Sequence, residues 1–159
     1  MKGLILALAS AGYLGYIPRV PGTVGTLVGV MVFLLYSSFP PSIYLLSTAA
    51  LFALACWVSE RAEIILGQRD SPKIVIDEVV GYLVTMAFLP RTLTTMVAGF
   101  LFFRVFDIIK PIPAGAIDRR MPGGLGVVLD DVVAGFYANV LLHLAAYWRS
   151  DMLFLIGGS

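Results

Sequence analysis

The sequence predicts an all-α fold: a polytopic integral membrane helical bundle of about five membrane helices, with an N-terminal interfacial or half-inserted helix, forming a single membrane-embedded domain over 1–159. Three observations carry this expectation. Only 13% of the 159 residues are charged, against roughly 25% in an average soluble domain, while 59% are apolar and the mean hydropathy is +0.92. The 11 basic and 10 acidic side chains are too few to clothe a water-soluble core of this size, so apolar surface must face lipid. The charges are also gathered into short segments between long stretches that contain none.

The elements follow from those stretches, because a charged residue at a membrane helix centre costs about 2.5–3.5 kcal/mol. Residues 3–18 combine Lys2, the run Leu4 to Leu8 and Ala7-Leu8-Ala9, which imitates a secretory signal with its small-residue cleavage site. Gly12 and Gly15 interrupt it and the rest of the chain is equally apolar, which favours an interfacial or half-inserted helix. Residues 20–59 contain no charge, and Pro40-Pro41 divide them into helices near 24–38 and 42–58, a membrane hairpin. Residues 79–90 and 92–103, on either side of Arg91, supply a third and a fourth helix. Residues 132–148, whose one titratable side chain of this kind is His143, supply a fifth.

Orientation follows from the basic residues. Arg19, Arg61, Arg69, Lys73, Arg104, Lys110, Arg119 and Arg120 fall on one side of these helices and Arg91 and Arg149 on the other, so the first side is expected to be cytoplasmic. Six carboxylates, Asp77, Glu78, Asp107, Asp118, Asp130 and Asp131, share that face. Helix capping accounts for Asp77 and Asp130 alone. It leaves unexplained the adjacent acids in Ile76-Asp77-Glu78-Val79-Val80 and Leu129-Asp130-Asp131-Val132-Val133, and Asp107 at a helix C-terminus. Hard oxygen donors without a cysteine or histidine cluster suit Mg²⁺.

Other features narrow the chemistry. Cys56 is the only cysteine and lies in an apolar run, which fits a small buried hydrophobe; His143 fits a packed or interhelical hydrogen-bonding residue. The stretch 111–126, with three prolines and four glycines, reads as a loop whose Gly123-Gly124-x-Gly126 can bring backbone N–H groups to an anion beside Lys110, Arg119 and Arg120. Pro21-Gly22-Thr23-Val24-Gly25-Thr26 offers a second such site of hydroxyls and N–H groups at a helix start. A formal net charge of +1 gives no reason to expect a nucleic acid partner.

Together these segments resemble phosphatidylglycerophosphatase A. The resemblance rests on Pro21 to Thr26, Asp77-Glu78-x-x-Gly81, Phe103-Arg104-x-Phe106-Asp107-x-x-Lys110-Pro111-x-Pro113, Asp118-Arg119, and Gly123-Gly124-x-Gly126-Val127-x-x-Asp130-Asp131-x-x-Ala134-Gly135, and spans about residues 18–140. It implies a multi-pass bacterial inner-membrane enzyme, its active site facing the cytoplasm, that hydrolyses phosphatidylglycerophosphate to phosphatidylglycerol and phosphate with Mg²⁺ as cofactor. Asp77, Glu78, Asp107, Asp130 and Asp131 are then the expected metal ligands. Thr23, Thr26, Arg104, Lys110 and Arg119 are the expected phosphate-binding residues, with Asp107, Asp130, Asp131 and Lys110 catalytic, one of the paired aspartates acting as general base or nucleophile.

Two other classes remain open. A lipid headgroup phosphotransferase would use a similar aspartate cluster, but its Asp-Gly and Ala-Arg pattern is missing. A small ion-coupled transporter would carry acids near mid-membrane, whereas here they gather at one end.

Overall fold

The computed structural model describes residues 1–157, with side chains described at 1–117 and 120–148. It is all-helical, with seven α-helices and no strand among the described residues. They are α1 (Lys2–Ala9), α2 (Pro21–Tyr36), α3 (Pro41–Leu66), α4 (Ile76–Met86), α5 (Leu93–Ile109), α6 (Ala114–Arg120) and α7 (Gly124–Gly157), with a 3₁₀ turn at Leu14–Tyr16 between α1 and α2. Proline opens both α2 and α3, where its missing N–H costs nothing. Gly67, at φ 65°, closes α3 in the left-handed conformation glycine adopts freely. Thr92 caps α5 by accepting from the Thr95 backbone N–H at 3.1 Å, and Lys110 ends that helix immediately before Pro111.

The hairpin turn at Pro40-Pro41 falls where expected, but charge-free windows undercut several helices, α3 and α7 most. α3 continues past residue 58 through Glu60, Arg61 and Glu63, and α7 begins before 132, at Gly124. Charge marks where a helix leaves an apolar environment; it does not end the helix. The expected loop at 111–126 is also corrected, since α6 and the first turn of α7 occupy most of it. α3 and Gly124–Trp148 are long and apolar enough to cross a membrane, and α2 is apolar but shorter.

The third expected helix differs most. α4 has 11 residues, of which only Glu78 and Val84 are not fully buried. At 1.5 Å per residue it covers about 16 Å, roughly half of a hydrocarbon core about 30 Å thick. α2, α3, α5 and α7 all pack against it, so α4 is the centre of the bundle. Apolar side chains point outward from its neighbours: Leu27, Met31 and Leu35 on α2, Leu46 and Trp57 on α3, Leu101 and Ile108 on α5, and Phe136 and Leu144 on α7 are all exposed.

A helix that stops inside apolar surroundings must find donors for its last carbonyls. α4 does so completely. The Tyr44 hydroxyl donates to the Leu83 carbonyl at 2.5 Å, and Ala87 N–H donates to Val84 at 3.2 Å. Asn139 Nδ2 donates to both Thr85 and Ala87 at 2.9 Å, and Leu89 N–H donates to Met86 at 3.1 Å.

Glycines set how closely the neighbours approach. A Cβ at Gly135 of α7 would collide with the Gly81 carbonyl of α4, and a Cβ at Gly81 would lie 2.5 Å from the Phe103 ring and 2.9 Å from the Asp131 carbonyl. That crossing sets α7 against α4 one turn from the acids each carries. Gly135→Val should therefore force the helices apart and destabilise the protein by about 1–3 kcal/mol or more. Denaturation in detergent measures it; an unchanged unfolding midpoint would contradict the close-packed crossing.

Candidate active site

The α4–α7 crossing brings three carboxylates together. One oxygen from each of Asp77, Glu78 and Asp131 lies within 4.8 Å of the others. Asp77 and Glu78 occupy the first turn of α4, where the helix dipole favours negative charge, yet the N-cap is Val75 and no side chain caps that end. Asp130 and Asp131 lie well inside α7, which begins at Gly124, so capping explains neither of them. Hydrogen-bond capping is thus excluded for both residues to which it was open.

Burial makes this arrangement costly. Asp77 and Asp131 are buried, and Asp77 Oδ1, Glu78 Oε2 and Asp131 Oδ2 have no hydrogen-bond partner among the described residues. Buried carboxylate oxygens normally accept bonds, and each one left unsatisfied costs about 1–3 kcal/mol or more. At the head of α4, burial and then the charge of Glu78 raise the Asp77 pKa, while burial and then Asp131 push Glu78 up to about 8. Among the described residues, only Arg104 comes within ion-pair distance of the trio, through Glu78. Its donors are all oxygen and come from two helices, the chemistry of a hard divalent cation.

Cations stand around it. Arg104 of α5 donates to Asp107 Oδ2 at 2.5 Å, and its Nη1 lies 3.9 Å from Glu78 Oε1. Lys110 Nζ donates to Asp130 Oδ2 at 2.5 Å, tying the end of α5 to α7. Asp107 is therefore engaged by Arg104 and Asp130 by Lys110, and the trio that shares a centre is Asp77, Glu78 and Asp131.

Both glycine motifs serve close packing. Thr26 is fully buried and its hydroxyl donates to the Gly22 carbonyl within α2 at 2.8 Å, so it is turned inward; Thr23 is half-buried on the same helix. Gly22 instead lets α2 close over the acids: a Cβ there would lie 2.6 Å from Glu78 Oε1 and 2.7 Å from Arg104 Nη1. In the second motif, a Cβ at Gly124 would strike the Cys56 carbonyl and one at Gly126 the Met121 carbonyl. The Gly126 and Val127 N–H groups both donate to the Gly123 carbonyl, at 3.0 and 3.3 Å, and the motif's glycines pack the start of α7 closely against α3 and the Met121 turn. The side chains of Asp118, Arg119 and Arg149 lie outside the described residues. Cys56 is half-buried against the core, whereas His143, expected to be packed between helices, is exposed on α7.

Sequence reasoning missed Asn139, whose two bonds hold the far end of α4, because a lone asparagine in an apolar run carries no pattern.

A family model described as Phosphatidylglycerophosphatase A matches residues 7–146. The chain belongs to that family. It is 35% identical over 136 residues to phosphatidylglycerophosphatase A of Haemophilus influenzae, covering 84% of this chain and 83% of that protein. Against the Escherichia coli protein of the same name it is 33% identical over 141 residues, covering 87% and 82%. A Bacteroides thetaiotaomicron protein called a putative phosphatidylinositol-3-phosphatase is 34% identical over 141 residues, covering 84% and 87%. No solved structure matches the chain.

Within this family's phosphatase chemistry, Arg104 is, among the described residues, the cation that reaches the shared carboxylate centre, through Glu78. Arg104→Gln should lower turnover by about a hundredfold to a thousandfold, as for loss of one oriented donor, and Arg104→Lys should restore part of it. Phosphate release by both variants, with folding checked independently, is the measurement; full activity in Arg104→Gln would remove it from the site.

Proposed function

We propose that this chain hydrolyses the terminal phosphomonoester of phosphatidylglycerophosphate, giving phosphatidylglycerol and phosphate, with Mg²⁺ as cofactor, at the cytoplasmic face of a bacterial inner membrane. Family membership supports the reaction and substrate. The observation that carries the site is the trio Asp77, Glu78 and Asp131, with buried oxygens lacking donors, flanked by Arg104 and Lys110 at one end of an apolar bundle.

Mg²⁺ held by Asp77, Glu78 and Asp131 would neutralise phosphate charge and make an attacking water more acidic. The chain's own residues do the rest. Arg104 faces the phosphoryl oxygens, oriented by Asp107; Lys110 supplies a second cation. With Asp131 in the carboxylate trio, Asp130 beside Lys110 is the group that accepts the water's proton. Gly22 and the start of α2 cover the acids and limit water access. Acyl chains could lie along a 270 Å³ groove lined by Leu27, Val30, Met96, Val97, Phe100 and Leu101, which runs between α2 and α5 on the apolar outer surface. Phe100 and Leu101 lie one turn below Arg104 on the same helix.

The metal assignment is tested by phosphate release across a Mg²⁺ titration. Asp77→Asn and Asp131→Asn should each lose about a hundredfold or more in turnover, partly recovered at high Mg²⁺, since several kcal/mol of charge stabilisation is at stake. Asp107→Asn should lose activity without that recovery, because its partner is Arg104. Wild-type rates in both Asp77→Asn and Asp131→Asn would sink the assignment. Running the same assay with phosphatidylinositol 3-phosphate tests the reading suggested by the Bacteroides relative's name.

The multi-pass reading places α2, α3, α5 and α7 against lipid with α4 enclosed, and the basic segments inside the cell. In a Cys56→Ala background, cysteines at exposed Gln68 and Pro122 should react with a polar maleimide only after permeabilisation, and one at Arg91 should react in intact cells. The reverse pattern would invert the topology.

A further inference from the structure

The acid cluster accounts for one phosphate, but phosphatidylglycerophosphate carries two: the terminal phosphomonoester and the phosphodiester that joins glycerol to the diacylglycerol. A second cationic concavity lies beside the site. It is a cavity of 400 Å³ lined by Gly15, Tyr16, Arg19, Pro21, Pro72 and Lys73. Neither Arg19 nor Lys73 has a carboxylate within salt-bridge distance among the described residues. Lys73 instead sits over the Tyr16 ring, 5.0 Å from its centroid.

Two chain segments build this cavity, and both run straight into the acid site. Arg19 precedes Gly22, which abuts Glu78 and Arg104; Lys73 precedes Asp77 by one helical turn's worth of chain. The segments are held together. A Cβ at Gly15 would collide with the Lys73 carbonyl, the Val75 N–H donates to the Ala9 carbonyl at 2.9 Å, and a Cβ at Gly25 would lie 2.8 Å from Val75 Cβ. Arg19 holds a φ of 76°, uncommon for a side chain other than glycine, asparagine or aspartate.

The surroundings match headgroup depth. Tyr13, Leu14, Tyr16, Ile17 and Val20 are all exposed around Arg19, a mixture of tyrosine, aliphatic and basic side chains suited to the bilayer interface. We propose that Arg19 and Lys73 form a subsite for the phosphodiester of the lipid substrate, so that the enzyme reads a phosphomonoester and a phosphodiester one glycerol apart. This rests on the function proposed above. The subsite makes no contact with the reacting bond, so its contribution belongs to substrate binding and appears in KM rather than kcat.

The test is the kinetics of purified full-length Arg19→Gln, Lys73→Gln and the double variant on phosphatidylglycerophosphate in neutral detergent micelles. Each single change should raise KM about tenfold to a hundredfold, the worth of one charge-assisted bond, with kcat within about twofold. Inhibition by phosphatidylglycerol, which keeps only the diester, should weaken in parallel. Inhibition by inorganic phosphate should not change. Arg19→Lys and Lys73→Arg should stay near wild type, as should Arg61→Gln, which removes an exposed cation of the same face on α3. Four results overturn the subsite: an unchanged KM, equal weakening of phosphatidylglycerol and inorganic phosphate, an Arg61→Gln effect as large as that of Lys73→Gln, or a fall in kcat alone. A wild-type protein that releases no phosphate from the lipid overturns the proposed function and the subsite with it, whereas an active wild type with indifferent variants overturns the subsite alone.

Discussion

α4 is a short helix with acids at one end, free carbonyls at the other and other helices on every side. Most of the fold answers the demands those two ends make. At the C-terminal end the demand is for donors, and Tyr44 of α3 and Asn139 of α7 reach across to the Leu83, Thr85 and Ala87 carbonyls. At the N-terminal end the demand is for positive charge, and among the described residues Arg104 and Lys110 supply it from the flank. The difference is physical. Spare carbonyls are satisfied permanently by neutral donors, whereas a buried trio of carboxylates with unpartnered oxygens stays costly unless protons neutralise it or a cation joins it.

Close packing makes that costly end possible. Gly81 and Gly135 let α4 and α7 approach until their backbones touch, which carries Asp131 to Asp77 and Glu78. Gly22, Gly25 and Gly29 do the same for α2 along a neighbouring face of α4, against Glu78, Val75 and Tyr82 in turn. Where apolar side chains gain nothing by leaving lipid, small residues and buried hydrogen bonds supply the cohesion that burial gives a soluble protein.

Much of this was legible in the chain. Charge-free stretches located the helices of the bundle, and the one-sided acids located Asp77, Glu78, Asp107, Asp130 and Asp131 at a common end. Helix limits were misread because hydropathy reports environment and not hydrogen bonding: α3 keeps its ladder through Glu60 and Arg61 well beyond its apolar part. The glycine motifs were open to two readings for a related reason. A glycine-rich helix start is equally compatible with an anion cradle and with helices in contact, and the chain alone does not show the Glu78 and Cys56 atoms that Gly22 and Gly124 approach. Asn139 carried no local pattern, since its bonds reach carbonyls of a helix far away in sequence.

The division among the acids follows from where each cation can stand. Arg104 leaves α5 beside Asp107, three residues along the same helix, so that pair forms locally and holds the guanidinium toward Glu78. Lys110 ends α5 in a left-handed conformation that turns its chain toward α7, where Asp130 meets it. Asp77 and Asp131, on the two helices that cross most closely, are reached by neither side chain as an ion-pair partner among the described residues. The two fixed cations thus bind the outer acids and leave the inner ones to share their charge with Glu78. An entering phosphate would meet Arg104 and Lys110 at the rim, while a small divalent cation suits the carboxylate centre behind them.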